Sequence, residues 1–170
     1  MSEIFSENRP PTDKPHILGI DIETFSSVEL SKCGVFRYSE SPDFEILLFA
    51  YAFDDDEVRI VDMACGEMLP AKVLEALDDP EIIKAAWNAQ FERTCIGRYL
   101  GRRLSPDSWR CSMVHAASLS LPLSLKEAAK VLKTGEQKDR AGENLIRYFS
   151  VPCKPTKSNG GRTRNLSEHD

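Results

Sequence analysis

Two carboxylates flanking one apolar residue, at the end of an apolar run, are the side chains in this sequence best placed to do chemistry. Asp21-Ile22-Glu23-Thr24 follows Ile17-Leu18-Gly19-Ile20, which reads as a buried strand. Side chains two positions apart on a strand leave the same face, so Asp21 and Glu23 are expected side by side while Ile20 and Ile22 pack on the other face. Like charges held that close raise each other's pKa unless a cation lies between them, and hard oxygen donors select Mg²⁺ or Mn²⁺ over zinc. An acidic strand end facing water would carry the same letters.

A third carboxylate comes from a second segment. Ala85-Ala86-Trp87-Asn88-Ala89-Gln90-Phe91-Glu92-Arg93 follows the apolar pair Ile82-Ile83, and the pattern predicts a helix over Ala89 to Leu100 with Asn88 as its N-cap. Residues 88 and 92 then share one helix face. The positively polarised helix start would carry Asn88 to the site, Phe91 would stack on a base or sugar, and Glu92 would add its carboxylate. Taken alone, the segment reads more readily as a capped surface helix with Phe91 in the core.

Together the two segments resemble the first two motifs of the DEDD superfamily, the DnaQ-like proofreading exonucleases, written D-x-E and then N-x-x-F-D roughly seventy residues later. Here they read Asp21-x-Glu23 and Asn88-x-x-Phe91-Glu92. Phe91-Glu92-Arg93-Thr94 and Lys138-Asp139-Arg140-Ala141-Gly142 look closest to the exonuclease part of phage-type family A DNA polymerases, over a stretch from about residue 16 onward. Two departures stand out. Glu92 replaces the usual Asp and is one methylene longer. The third motif, Y-x-x-x-D or H-x-x-x-x-D, is missing: Pro152 lies four residues after Tyr148, and neither Asn165 nor Leu166 is the Tyr or His that would precede Asp170. The expectation is an N-terminal piece of a polymerase, or a shortened gene product, ending before that helix.

The resemblance implies two Mg²⁺ or Mn²⁺ ions roughly 3.5 to 4 Å apart across a scissile phosphate, with Asp21 bridging both, Glu23 on the first ion or on the attacking water, and Glu92 on the second. Backbone groups near Ile22 and Thr24 would contact the sugar of a single-stranded DNA 3′ end, with Phe91 beside its base. A polymerase domain would follow in the full-length product. Lacking the third motif, the chain is expected to cut orders of magnitude more slowly than a complete site. Two other readings stay open: a non-catalytic module that binds single strands or serves as a polymerase-associated scaffold, and an oligoribonuclease-like enzyme acting on RNA.

Composition bounds the rest. At 170 residues and 41% hydrophobic content the chain is expected to form one core, and no run approaches the ~18 apolar residues of a membrane helix. Residues 1 to 15 read as a polar arm rather than a signal peptide, 16 to 150 as the exonuclease-like domain and 151 to 170 as a basic, linker-like tail, in a cytoplasmic protein. Cys33, Cys65, Cys95, Cys111 and Cys153 are odd in number and form no C-x-x-C pair, so they read as free thiols. His16, His115 and His169 are too scattered for zinc. The net charge of −5 argues against a protein that coats duplex DNA. Locally, Lys84, Arg93, Arg98, Arg102, Arg103 and Arg110 crowd one stretch, and Lys154, Lys157, Arg162 and Arg164 another; either would track phosphates, or be a solvated surface.

The elements that must position these residues follow from periodicity. Phe44 to Phe53 and Glu57 to Met63 read as strands joined at Asp54-Asp55-Asp56, Pro70 to Leu77 as a helix, Ile82 to Trp87 as a buried strand and Trp109-Arg110-Cys111 as a short fifth strand with helix up to Leu119. Ser124 with Glu127 reads as a capping box before a helix reaching Leu132, and Gly142 to Phe149 as an amphipathic helix. The implied architecture is α/β, a mixed five-stranded sheet flanked by helices, ribonuclease H-like by resemblance.

Overall fold

A computed structural model describes residues 16–134 and 140–166. The N-terminal arm, Lys138-Asp139 and the terminal Ser167 to Asp170 lie outside the described residues. The element order is β1 (Ile17–Phe25), α1 (Leu30–Ser39), β2 (Glu45–Phe53), β3 (Arg59–Asp62), α2 (Ala71–Asp78), β4 (Ile83–Ala86), α3 (Ala89–Tyr99), β5 (Trp109–Cys111), α4 (Ser112–Ser118), α5 (Leu125–Leu132) and α6 (Arg140–Phe149). The strands form one sheet in the order β3-β2-β1-β4-β5. Antiparallel pairing joins β1 to β2 and β2 to β3, and parallel pairing joins β1 to β4 and β4 to β5, so the mixed sheet implied by the sequence is the one observed.

Alternation along β1 builds the core. Leu18, Ile20 and Ile22 lie opposite Phe53, Tyr51 and Phe49 of β2 and are buried with them, and Val73, Ala76 and Leu77 of α2 and Cys95 and Ile96 of α3 belong to the same cluster. The Asp triplet closes the β2–β3 hairpin: Asp54 takes a left-handed φ of 46°, and its carboxylate accepts from the backbone N–H of His16 and Ile17, tying the turn to the start of β1.

Three local readings need correction. The sequence reading had no helix at Leu30–Ser39. Gly34 breaks its helical backbone with φ 74° and ψ 167°, and only Tyr38 and Ser39 are buried on it, so no apolar stripe marks it. Ser124 does precede α5, but its side chain makes no capping hydrogen bond, and Glu127 pairs with Lys130 at 2.8 Å instead. Lys84 is no phosphate contact: it is 1% exposed, and its ammonium donates to Asp79 O at 2.6 Å, Ile82 O at 3.0 Å and Ser108 Oγ at 2.8 Å. At the other end, Asn165 donates to Tyr148 O, and Arg164 lies over the Phe25 ring and pairs with Glu45, so the loop after α6 folds back onto the ends of β1 and β2. No described helix is long and apolar enough to cross a membrane.

Candidate active site at the β1–α3 junction

β1 outruns its neighbour. Parallel pairing with β4 covers only Ile17, Leu18 and Gly19, and β4 ends at Ala86, level with the residue after Gly19. The chain then turns sharply at Asn88, in the left-handed conformation with φ 68° and ψ 47°, which Asn tolerates better than most residues. That turn brings the start of α3 to the flank of β1 that β4 leaves uncovered. Asn88 occupies the N-cap position as expected but makes no side-chain cap; its exposed side chain faces solvent and its carbonyl accepts from Phe91 N at 2.7 Å.

Asp21 and Glu23 share the face of β1 opposite the core, and on that face they lie across from Ala50 and Leu48. The register shifts between Glu23 and Thr24, leaving Leu47 without an opposite residue. Such a bulge re-aims the backbone, and Thr24 and Phe25 beyond it are both buried. Asp21 is exposed and Glu23 half-buried, whereas Glu92 is 3% exposed. Burial pushes the Glu92 carboxyl up to about 8, its own backbone N–H opposes the rise, and the negative charge of Asp21 adds to it. Asp21 and Glu92, seventy-one positions apart by number, are therefore neighbours in space.

Packing holds this arrangement from below. The Tyr38 hydroxyl shares a 2.9 Å hydrogen bond with Thr24 Oγ1, and its ring lies 5.9 Å from Phe44 and 6.1 Å from Phe91, centroid to centroid. Phe91 is half-buried against the core. Ile22 and Thr24 are buried, with side chains turned into the packing. Tyr38 was not among the residues singled out from sequence, and Cys95, whose thiol is pushed up to about 12 by burial and by Glu92, was read there only as a free thiol; neither lies in a chemical motif that would have placed it at the site.

The Glu92 Oε2 atom is buried without a hydrogen-bond partner. A buried carboxylate oxygen in that state is costly unless a donor or cation reaches it. Hard oxygen donors beside a second carboxylate fit Mg²⁺ or Mn²⁺ in kind. In number the set is short: among the described residues no three His, Cys, Asp or Glu side chains are gathered into a group able to hold an ion.

The mixed five-stranded sheet flanked by helices defines the fold, which is of ribonuclease H-like architecture. Among solved structures, the chain is similar to Brucella melitensis NrnC bound to pGG (15% identity, TM-score 0.54, covering 74% of this chain and 57% of that one). It is also similar to Escherichia coli RNase D, an exoribonuclease involved in structured RNA processing (14% identity, TM-score 0.52, 75% and 30% covered). No family model matches the chain. In sequence the particular relative is a DNA polymerase of Bacillus phage SP02, 63% identical over 153 residues. That match takes in 90% of this chain, which spans 24% of the polymerase's length; the chain is a homologue of that segment of the phage enzyme.

Proposed function

We propose that the chain is the 3′-to-5′ exonuclease domain of a phage-type DNA polymerase, removing nucleotides from single-stranded DNA 3′ ends by metal-dependent hydrolysis. The observation that carries the reading is the buried carboxylate of Glu92, one oxygen of which has no hydrogen-bond partner, within reach of the charge of Asp21, at a strand–helix junction whose motif spacing matches the family, in a chain so similar to a phage DNA polymerase. Asp21 and Glu92, with Glu23 drawn in from the same face of β1, would hold Mg²⁺ or Mn²⁺, which would supply an activated water and charge neutralisation at the phosphate; a magnesium-bound structure of Brucella melitensis NrnC, similar to this chain in fold, supports divalent dependence. The chain's own groups do the rest. Backbone of Ile22 and Thr24 positions the terminal sugar, Phe91 packs beside its base over the fixed Tyr38 ring, Asn88 lines the rim, and the Glu92 carboxyl gives up its proton when a cation enters.

On this reading the substrate is DNA, in keeping with the phage relative, a polymerase region follows in the complete product, and the setting is cytoplasmic. The test measures Mn²⁺ binding by calorimetry, and release of nucleotides from 3′- and 5′-labelled DNA and RNA strands, for the chain and for Asp21→Asn. Binding of Mn²⁺ and slow, metal-dependent release from DNA 3′ ends, both lost in Asp21→Asn, are expected. Manganese affinity unchanged by Asp21→Asn, or no affinity at all, would overturn the assignment, and preference for RNA would move it to the oligoribonuclease reading.

A further inference from the structure

Along α3, away from the acidic junction, the charge reverses. Between the C-terminal half of α1 and the outer face of α3, closed below by residues 101–106, lies a groove of about 1070 Å³. Arg93, Arg98, Arg102 and Arg103 line it with Phe36, against one acidic residue, Glu40. In a chain of net charge −5, four guanidinium groups in one groove are a local inversion rather than a consequence of composition.

The groove is built. Gly97 sits on α3 where an added Cβ would fall 2.8 Å from Arg102 O, so only glycine lets the loop after α3 close against the helix. Arg93 Nη1 donates to Leu104 O at 3.0 Å, and Arg98 Nε donates to Ser39 O at 3.2 Å. Arg102 pairs with Asp78 at 2.6 Å. Each contact uses part of a five-donor fork and leaves the rest directed elsewhere. Arg98 and Arg103 are exposed. Phe36 is 58% exposed on the facing wall, an unusual state for a large aromatic ring beside arginines.

We propose that this groove is a second binding site for the nucleic-acid strand, in which the arginines take successive backbone phosphates and Phe36 stacks on a base several nucleotides 5′ of the terminus held at the β1–α3 junction. The exposed ring selects a single strand over duplex, because only an unpaired base offers its face. α3 joins the two sites: Glu92 stands in its first turn and Arg93 to Arg98 follow. The idea that the strand's 3′ end lies at the junction rests on the function proposed above; the groove's affinity for a strand does not.

The experiment titrates fluorescent DNA with the chain in EDTA, which removes metal-site binding, using single strands of ~2 and ~12 nucleotides and a ~12-base-pair duplex. Arg103→Glu and Phe36→Ala alter exposed side chains, and their folding is checked by thermal melting. Either variant should weaken binding of the longer strand by roughly tenfold while leaving the dinucleotide unchanged, and Arg103→Glu should flatten the salt dependence. Longer-strand affinity equal to that of the unaltered chain in both folded variants, duplex binding as tight as single-strand binding, or polyglutamate competing as well as DNA would each overturn the proposal. Asp21→Asn separates the two claims: it should abolish manganese binding yet keep groove binding in EDTA, and a chain that holds strands in the groove but never binds metal would sink only the nuclease assignment.

Discussion

At the base of β4, Lys84 is 1% exposed, and each of its three ammonium protons has an acceptor, in Asp79 O, Ile82 O and Ser108 Oγ. At the start of α3, Glu92 is 3% exposed, and one of its carboxylate oxygens has none. Burial disfavours the charged form of both, lowering the lysine's pKa and raising the glutamate's. Desolvation of a charge is costly in either place, but a satisfied network repays that cost within the fold while an orphaned oxygen must be satisfied from outside it. The contrast separates a group the fold satisfies from one it does not: Lys84 clamps β4 to β5 through Ser108, and Glu92 is the group that a cation would satisfy in the function proposed above.

The largest effect that would break this contrast comes from pH. The Glu92 carboxyl titrates near 8 in the fold against an ordinary value of 4.5, so between those values the folded chain keeps a proton that the unfolded chain has released. Stability must then fall as pH rises through that window, by several kcal/mol, of order 4, before levelling. Urea unfolding in EDTA from pH 5 to 8.5 should show this loss, Glu92→Gln should flatten it and gain stability at pH 8, and manganese should recover stability in the unaltered chain alone. A flat profile in the unaltered chain would place Glu92 with the satisfied groups.

Next in size is the lysine. Lys84→Met keeps the apolar stem and strands three acceptors, which should cost about 3 kcal/mol in the same urea assay, with no change in manganese affinity. Loss of metal binding in a folded Lys84→Met chain would join two regions that the contrast treats as independent. The smallest effect sharpens the lysine side. Ser108→Ala removes one acceptor of the three and should cost about 1 kcal/mol, because the remaining carbonyls still hold the ammonium.

Much of this molecule was legible in its letters. Asp21 and Glu23 share a face because strand alternation puts them there, and Trp109 to Cys111 forms the fifth strand at the residues expected. α1 was illegible, since Gly34 interrupts its helical backbone and only its last two residues reach the interior. The basic residues could be counted but not sorted: composition lists Lys84 beside Arg98, while packing buries one under three acceptors and leaves the other lining a groove. Asn88 shows the same limit at one residue, where the N-cap position was readable and the left-handed turn that replaces the cap was not.

By itself, the sequence determined the order of the strands, of the helices from α2 onward, and which side of β1 carries acid, because hydrophobic periodicity and turn chemistry act over a few neighbouring residues. Tertiary structure alone decided that β4 stops short of β1 and that Glu92 feels the charge of Asp21, that Tyr38 supports Phe91, and that Arg98 reaches across 59 positions to Ser39 and so walls a groove. Those are contacts between elements distant in the chain, set by how crossovers stack helices on a twisted sheet, and no local pattern of residues carries them.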